Sequence, residues 1–431
     1  MGLSIRSNNQ LLYLFSCNLA ILFVGMGLFP VLPLYAARLG ADSTLVGLYL
    51  ALTYVSITLG TMAFGWLAAR LPHRSILAAA GLSGILALAL MGQVAALWQL
   101  IVLTGVVWFA GGLGLTMVSI LTGLSASRDR RGWMFGLISL STPLAAMGGG
   151  AVVSQLIAWK GYPAMFAALG AVWIVLPLAA WRLENRSLAD RVNSQPKTSA
   201  GQGRMGRAFY LMIMAFTLSA IAVNVGRLGT SLSMHTLDFS PSSVASTATV
   251  SGLIAIPVVL LLGPLSDRLN RRHILAFSYL LVGAGVVTLA FAAQLWHFWL
   301  AATLLLIARC VNGATGSALA TDMLTREQLV RGLSWLNSTA WASGILTFAL
   351  GGYLINRAGA EAVYVAAGVL AVAGAIQLEW RYLRPTWRAR RMVEGAKRIT
   401  QTQLSVLDIV EDAKRITQTH APVASANYQA R

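Results

Sequence analysis

Gly65-Trp-Leu-Ala-Ala-Arg-Leu-Pro-His-Arg-Ser-Ile-Leu77 and Gly263-Pro-Leu-Ser-Asp-Arg-Leu-Asn-Arg-Arg-His-Ile-Leu275 are two copies of one pattern, G-x-L-x-x-R-L-x-x-R-x-I-L. Seven of thirteen positions agree at a constant separation of 198 residues, and each copy follows one long apolar run and precedes another. The chain therefore reads as a duplicated membrane unit, with these stretches as its two matching short loops. The informative mismatch is Ala69 against Asp267.

Composition points the same way. Of 431 residues, 57% are hydrophobic and 11% charged, against roughly 25% charged in a soluble chain. Twelve runs are long enough to cross about 30 Å of hydrocarbon as helices of roughly 20 residues. They lie near 11–36, 44–69, 74–94, 98–124, 133–157 and 162–181, then near 208–235, 242–266, 273–293, 297–321, 333–356 and 362–382. Runs of this length exclude the roughly 10-residue strands of a membrane barrel, and lipid requires each segment to satisfy its own backbone, as a helix does. The first run is too long for a signal-peptide core and only Arg6 precedes it, so it reads as a retained span. The fold class expected is an all-α membrane protein of twelve spans in two pseudo-symmetric six-helix halves, 1–181 and 208–382.

The net charge of +18 does not imply nucleic acid, because the basic residues fall in short segments between apolar runs. With the N-terminus inside, 27 of the 32 Lys and Arg residues lie in inner loops and tails. Only Arg38, Lys160 and Arg357 lie outside, and Arg227 and Arg309 lie within spans. The positive-inside rule then places both termini in the cytoplasm, with added attraction to anionic membrane lipid. Residues 182–207, polar and carrying Pro196, read as a cytoplasmic linker. The duplication recurs where Arg131-Gly132 and Arg331-Gly332 open spans five and eleven, each with a later glycine pair, Gly148-Gly149 and Gly351-Gly352, suited to close helix packing. The segment 383–431 is too polar to span. It repeats Ala-Lys-Arg-Ile-Thr-Gln-Thr at 396–402 and 413–419 and reads as an amphipathic helix for the inner leaflet or a cytoplasmic partner, or else as a solubilising tail. Cys17 and Cys310 read as small apolar fillers.

Six plus six spans, inner termini, a polar central linker and the paired loops resemble the major facilitator superfamily over about residues 10–382. Its signature loop is matched by Gly263, Leu265, Asp267, Arg268, Arg271 and Arg272, with Asn270 in place of the usual glycine. The first copy keeps Gly65, Leu67, Arg70 and Arg74 but has Pro72 and Ala69 for the glycine and the acid. Gly25-Met-Gly-Leu-Phe-Pro-Val-Leu-Pro-Leu34 looks like the 12-helix drug-efflux (drug:proton antiporter) branch. Arg309-Cys-Val-Asn-Gly-Ala-Thr-Gly316 is similar to a motif that this branch carries in span four, displaced here to span ten. Thr142-Pro143 before Gly148-Gly149-Gly150 resembles the exporters' span-five motif with altered spacing. The resemblance implies a multi-pass protein of the bacterial inner membrane that works by alternating access, without cofactor, metal or enzymatic chemistry.

The resemblance also implies where to look for function. Spans one, four, seven and ten should line the central site, and Arg227 and Arg309 fall deep in two of them. A membrane-centre arginine costs about 2.5–3.5 kcal/mol even on mild scales, so it should face water, a partner or a ligand. No Asp or Glu lies deep in a span; Asp322 and Glu379 come nearest. Two unpaired guanidinium groups suit a carboxylate, phosphate or sulfate; the structural alternatives are helix-packing bonds for Arg309 and snorkelling for Arg227. Asn18, Trp108, Asn224 and Asn312 share these spans and are candidate substrate contacts or packing residues. At the loops, Asp267 facing the start of span five is a candidate inner latch, helped by Arg268, Arg271 and Arg272 reaching the opposite half; the alternative is a loop that only sets topology. The missing membrane acid leaves coupling open between His235, the substrate's own charge, a proton and a counter-anion. The expected function is secondary transport of a small organic anion, efflux favoured. Anion uptake or exchange, and a transporter-like scaffold acting through its tail, are the alternatives. No G-x-G-x-x-G after a strand, Walker sequence or metal-ligand cluster occurs.

Overall fold

A computed structural model describes residues 2–68, 70–125, 131–182, 205–324 and 328–380; among these there are helices and short turns and no strand. The expected linker and tail lie almost wholly outside the described residues, so the tail helix does too.

Ten helices are long and apolar enough to cross a membrane, and a bent pair, Leu12–Leu28 with Leu32–Arg38, makes an eleventh span. One of the ten, Ile138–Arg182, has 45 residues, roughly 68 Å at 1.5 Å per residue and more than twice the hydrocarbon thickness. It breaks at Gly161 (φ 75°, ψ −173°), so it is two spans and the total is twelve. In order the remaining spans are Ser43–Ala68, His73–Met91, Leu97–Ser125, the two parts of Arg131–Arg182, Arg207–Thr236, Pro241–Arg268, Arg271–Ala290, Leu295–Met323, Leu329–Ala358 and Ala360–Trp380. They are numbered one to twelve below. The chain is a multi-pass integral membrane protein. Many large apolar side chains stand outward on its flanks, among them Trp98, Trp159 and Trp296 near one end and Trp66 and Trp181 near the other, as in the aromatic belts of membrane interfaces.

The spans depart from ideal rods where their sequence requires it. Span one bends by 47° across residues 29–31, because Pro30 has no N–H and its ring crowds the carbonyl one turn back. Span ten passes through a π-helical turn, Asn312–Gly316, an insertion that redirects a helix locally.

The repeat is written into the backbone. Among the described residues four have a left-handed φ: Gly40, Gly161, Asp238 and Gly359. Gly40 pairs with Asp238, and Gly161 with Gly359, both at the 198-residue separation of the two loops. Only glycine, and at some cost Asp or Asn, adopts this conformation readily. Equivalent turns thus survive in both sets of six spans even where one residue has changed.

The two sets, called halves below, pack through span two on eleven and span five on eight. Glycines set the approach: a Cβ on Gly47 would stand 2.5 Å from the Phe348 carbonyl oxygen, and one on Gly150 2.6 Å from the Thr249 amide nitrogen. Such spacing lets backbones touch where lipid supplies no hydrophobic drive.

Candidate substrate cavity

Two cavities meet at mid-depth between the halves, of about 570 and 560 Å³ including their open mouths. Both are lined by Met26, Phe29, Arg227 and Arg309. Arg227 projects from span seven onto the other half. Its guanidinium carbon lies 3.6 Å from the Phe29 ring centroid, and Nη1 donates to the Tyr54 hydroxyl at 2.5 Å. That hydroxyl donates onward to Asn224 Oδ1 at 3.5 Å. The bend at Pro30 leaves Phe29 at the end of its helix, where it meets the guanidinium. Phe29, Tyr54, Phe348 and Trp341 form one aromatic group, with centroids 4.8–6.4 Å apart. A cation over an aromatic face gains about 2 kcal/mol or more when desolvated, which offsets part of the cost of a charge at this depth. Arg309, from span ten, has a single described polar contact, Nη1 to Met26 Sδ at 3.9 Å. Neither arginine makes an ion pair among the described residues.

The other sequence candidates divide. Trp108 lines the first cavity. Asn224 stands one bond behind it through Tyr54. Asn18 is buried and donates to Ser141 Oγ at 2.6 Å, joining spans one and five. Asn312 accepts from Ser278 Oγ at 2.8 Å and donates to Ser219 Oγ at 3.4 Å, joining span ten to nine and seven. Asn18 and Asn312 line neither cavity, because a buried amide takes whichever neighbouring hydroxyl satisfies it. His235 is exposed at the end of span seven. Sequence reasoning missed Tyr54, Trp173 and Trp341, and the hydroxyls of Thr230, Ser231, Thr247 and Ser251 that line the second cavity.

The bundle has two faces: one carries the loops at 69–72 and 269–270 and the ends of the linker, and the opposite one is called the far face. Hydrogen bonds join the halves at mid-depth, through Tyr54 with Arg227 and Asn224, and toward the far face. There Ser154 Oγ donates to the Ser242 carbonyl at 2.8 Å, and Asn356 Nδ2 to Thr44 Oγ1 at 3.5 Å. These two bonds tie the halves together on the far side.

On the loop face three contacts lie within a half, while the side chain of Asp267, the acid of the expected latch, lies outside the described ones. Arg74 donates to the carbonyls of Ala180 and Trp181 at 2.8 and 2.6 Å, a cation satisfying the carbonyl end of span six. Arg70 lies 3.9 Å over the Trp66 ring, and the neighbouring Gly65 faces open space. Arg271 holds both carboxylate oxygens of Asp322, at 2.9 and 3.0 Å, in its own half. The backbone amide of Arg272 is capped by Asn270 Oδ1 at 3.1 Å, which explains how asparagine serves where the family pattern has glycine. Gly263, Asp267 and Arg268 belong to the last turns of span eight, and their side chains lie outside the described ones.

Twelve spans in two repeats around a charged central cavity define a membrane transporter of the twelve-helix, two-half class. The family model described as Major Facilitator Superfamily matches residues 14–225 and 208–409, and the chain belongs to that superfamily, whose members are transporters and not enzymes. Among curated relatives it is similar to the Multidrug resistance protein MdtG of Proteus mirabilis (strain HI4320), 23% identical over 350 residues, 75% of this chain and 83% of that one. The same-named protein of Serratia proteamaculans (strain 568) is 23% identical over 281 residues, 62% and 68% of the two chains. Of solved structures, a POT family transporter in complex with 5-aminolevulinic acid gives a TM-score of 0.65 at 13% identity over 85% of this chain and 94% of that one. A mutant of the peptide transporter POT gives 0.67 at 16% over 87% and 94%. These structural likenesses speak for the fold.

Proposed function

We propose that this chain is a secondary active transporter that carries a small organic anion by alternating access, with efflux as its direction. The observation that carries the reading is the pair Arg227 and Arg309, which face a mid-depth cavity between the halves without an acidic counter-charge among the described residues. A buried guanidinium needs a counter-charge or hydrogen-bond acceptors, and a carboxylate, sulfate or phosphate on the solute supplies both. Likeness to proteins named for multidrug resistance supports outward movement, since exporting a compound protects a cell from it.

In this reading the loop face is cytoplasmic, the membrane is the bacterial inner membrane, and residues 182–207 link the halves. The two bonds between the halves on the far side support reading this as an inward-facing state. Entry of the solute neutralises the arginines, the halves rock, and the paired loops close the inner side, with Asp267 as the acid of the latch. Coupling runs through a proton or a counter-anion. Flux of an organic-anion panel in proteoliposomes, at imposed pH gradients of both signs, tests this. Outward-directed anion flux that disappears in Arg309→Ala is the expected result; unchanged flux in both Arg227→Ala and Arg309→Ala sinks the anion reading. Inward accumulation alone reverses the direction. For the latch, Asp267→Asn should raise inner-side cysteine labelling, and no change in labelling or flux removes it.

A further inference from the structure

The two cavities are themselves related by the repeat. At the 198-residue separation, Gly25 corresponds to Val223, Phe29 to Arg227, Val107 to Leu305, Trp108 to Leu306 and Gly111 to Arg309, and in each pair the first residue lines the first cavity and the second lines the second. The chain therefore holds two equivalent compartments, one per half, whose chemistry has diverged. The first is walled by the rings of Tyr54, Trp108, Trp173 and Trp341. The second has no aromatic ring of its own beyond the shared Phe29, and presents Thr230, Ser231, Thr247 and Ser251.

The state of those hydroxyls decides what they can bind. A hydroxyl has one proton and two lone pairs. Thr230 gives its proton to the Gly226 carbonyl at 2.8 Å, Thr247 to Val244 at 2.7 Å and Ser251 to Ala248 at 3.1 Å. Each keeps accepting capacity and has no proton left to donate. Ser231 Oγ is buried, its residue 1% exposed, with no partner among the described residues, and an unsatisfied buried hydroxyl marks a place for a polar ligand atom. Three of the four hydroxyls can thus only accept and Ser231 can do either, so the second compartment favours a donor, whereas the arginines at the junction are donors and want an acceptor.

On the transport reading above, we infer that the solute is an amphipathic anion with three parts: a flat apolar body stacked in the first compartment, an anionic group on Arg227 and Arg309, and a hydrogen-bond-donating hydroxyl or amino group reaching the second. An aromatic hydroxy acid or aromatic amino acid has this form.

Binding of three probes to the purified full chain in detergent, followed by calorimetry, separates the parts. The probes are 3-phenyllactate (all three parts), 3-phenylpropanoate (no donor) and lactate (no body). The inference predicts that 3-phenyllactate binds at least about tenfold more tightly than either of the others, the scale of one well-placed hydrogen bond or buried ring. Ser231→Ala, which removes one oxygen, should weaken 3-phenyllactate and leave 3-phenylpropanoate unchanged. Trp108→Leu should weaken both phenyl probes and leave lactate unchanged. If Ser231→Ala and Trp108→Leu shift all three probes alike or none of them, the two-compartment assignment is wrong. If those splits fail while Arg309→Ala still abolishes binding of every probe, the anion reading stands without it. No binding of 3-phenyllactate to the intact chain overturns the solute class.

Discussion

The two halves share a backbone plan and differ in what they place at the cavity. Turns at 40 and 161 repeat at 238 and 359, all with positive φ, yet Phe29 answers to Arg227, Gly111 to Arg309 and Tyr54 to Gly252. The first half contributes Phe29, Tyr54, Trp108 and Trp173, joined by Trp341 of the second half; the second contributes the charge and the hydroxyls. Duplication supplies a symmetric frame, and on the two-compartment proposal above substitution inside it would make a solute lie in one orientation, its ring in one compartment and its donor in the other.

The sharpest way to break this comparison is to move the charge. Arg309→Gly should lower flux by about 100-fold, the scale for truncating a buried charge contact. A Cβ on Gly111 meets only Ile21 at 3.5 Å and Trp173 at 3.9 Å, so a side chain can start there. Adding Gly111→Arg to Arg309→Gly should restore part of the flux. No recovery at all, with the double variant folded and inserted, would show that the two positions are not interchangeable. A smaller effect is expected at Tyr54, whose hydroxyl ties Arg227 to the opposite half. Tyr54→Phe removes one bond to a charged group, about 1.5–3 kcal/mol, and should weaken solute binding about tenfold or more; unchanged affinity would mean that Arg227 holds its place through Phe29 alone.

Much of the frame was legible in the sequence. Repeat, span count and the depth of both arginines follow from run lengths and charge positions, which are one-dimensional quantities. The site was legible only in its charges. Tyr54 sits in a run that is apolar on every face, so no periodicity there distinguishes a cavity side from a lipid side. Asn18 and Asn312 could not be placed from sequence because an amide in a span has the same appearance whether it meets a solute or neighbouring hydroxyls such as those of Ser141 and Ser278. The hydroxyls of the second compartment were hidden because Ser and Thr in helices commonly bond their own carbonyls, and only three dimensions reveal which ones also border a void. The loop arginines looked alike in sequence, while the structure separates a helix-end cap at Arg74 from a carboxylate pair at Arg271.

Closure offers a third test, between neighbouring glycines. A Cβ on Gly352 collides with the Ser43 carbonyl oxygen, whereas one on Gly351 meets only the flexible end of Leu228 at 3.2 Å. Overpacking of this kind costs roughly 1–3 kcal/mol. Gly352→Ala should therefore open the far face, seen as faster labelling of an Asn356→Cys reporter in a Cys17→Ala, Cys310→Ala background. Gly351→Ala should label at the parent rate, and equal rates in the two variants would mean that this contact does not hold the face shut. The smallest effects belong to the loops. Arg74→Ala should lower thermal stability by about 0.3–2 kcal/mol through the lost helix-end contact. Arg271→Ala, breaking a solvent-exposed pair, should cost about 0–1 kcal/mol, and a reversed order would assign the structural load to the second loop.

One contact has a geometric consequence. Phe29 and Arg227 occupy equivalent positions and touch at 3.6 Å. In a body related to itself by a two-fold rotation, a residue can meet its own equivalent only beside the rotation axis. The guanidinium of Arg227 therefore sits near the hub of the molecule, where tilting of one half against the other produces the least displacement. On the transport reading proposed above, a charge held there would stay with its cargo through the whole stroke, while the walls on either side exchange the roles of door and floor.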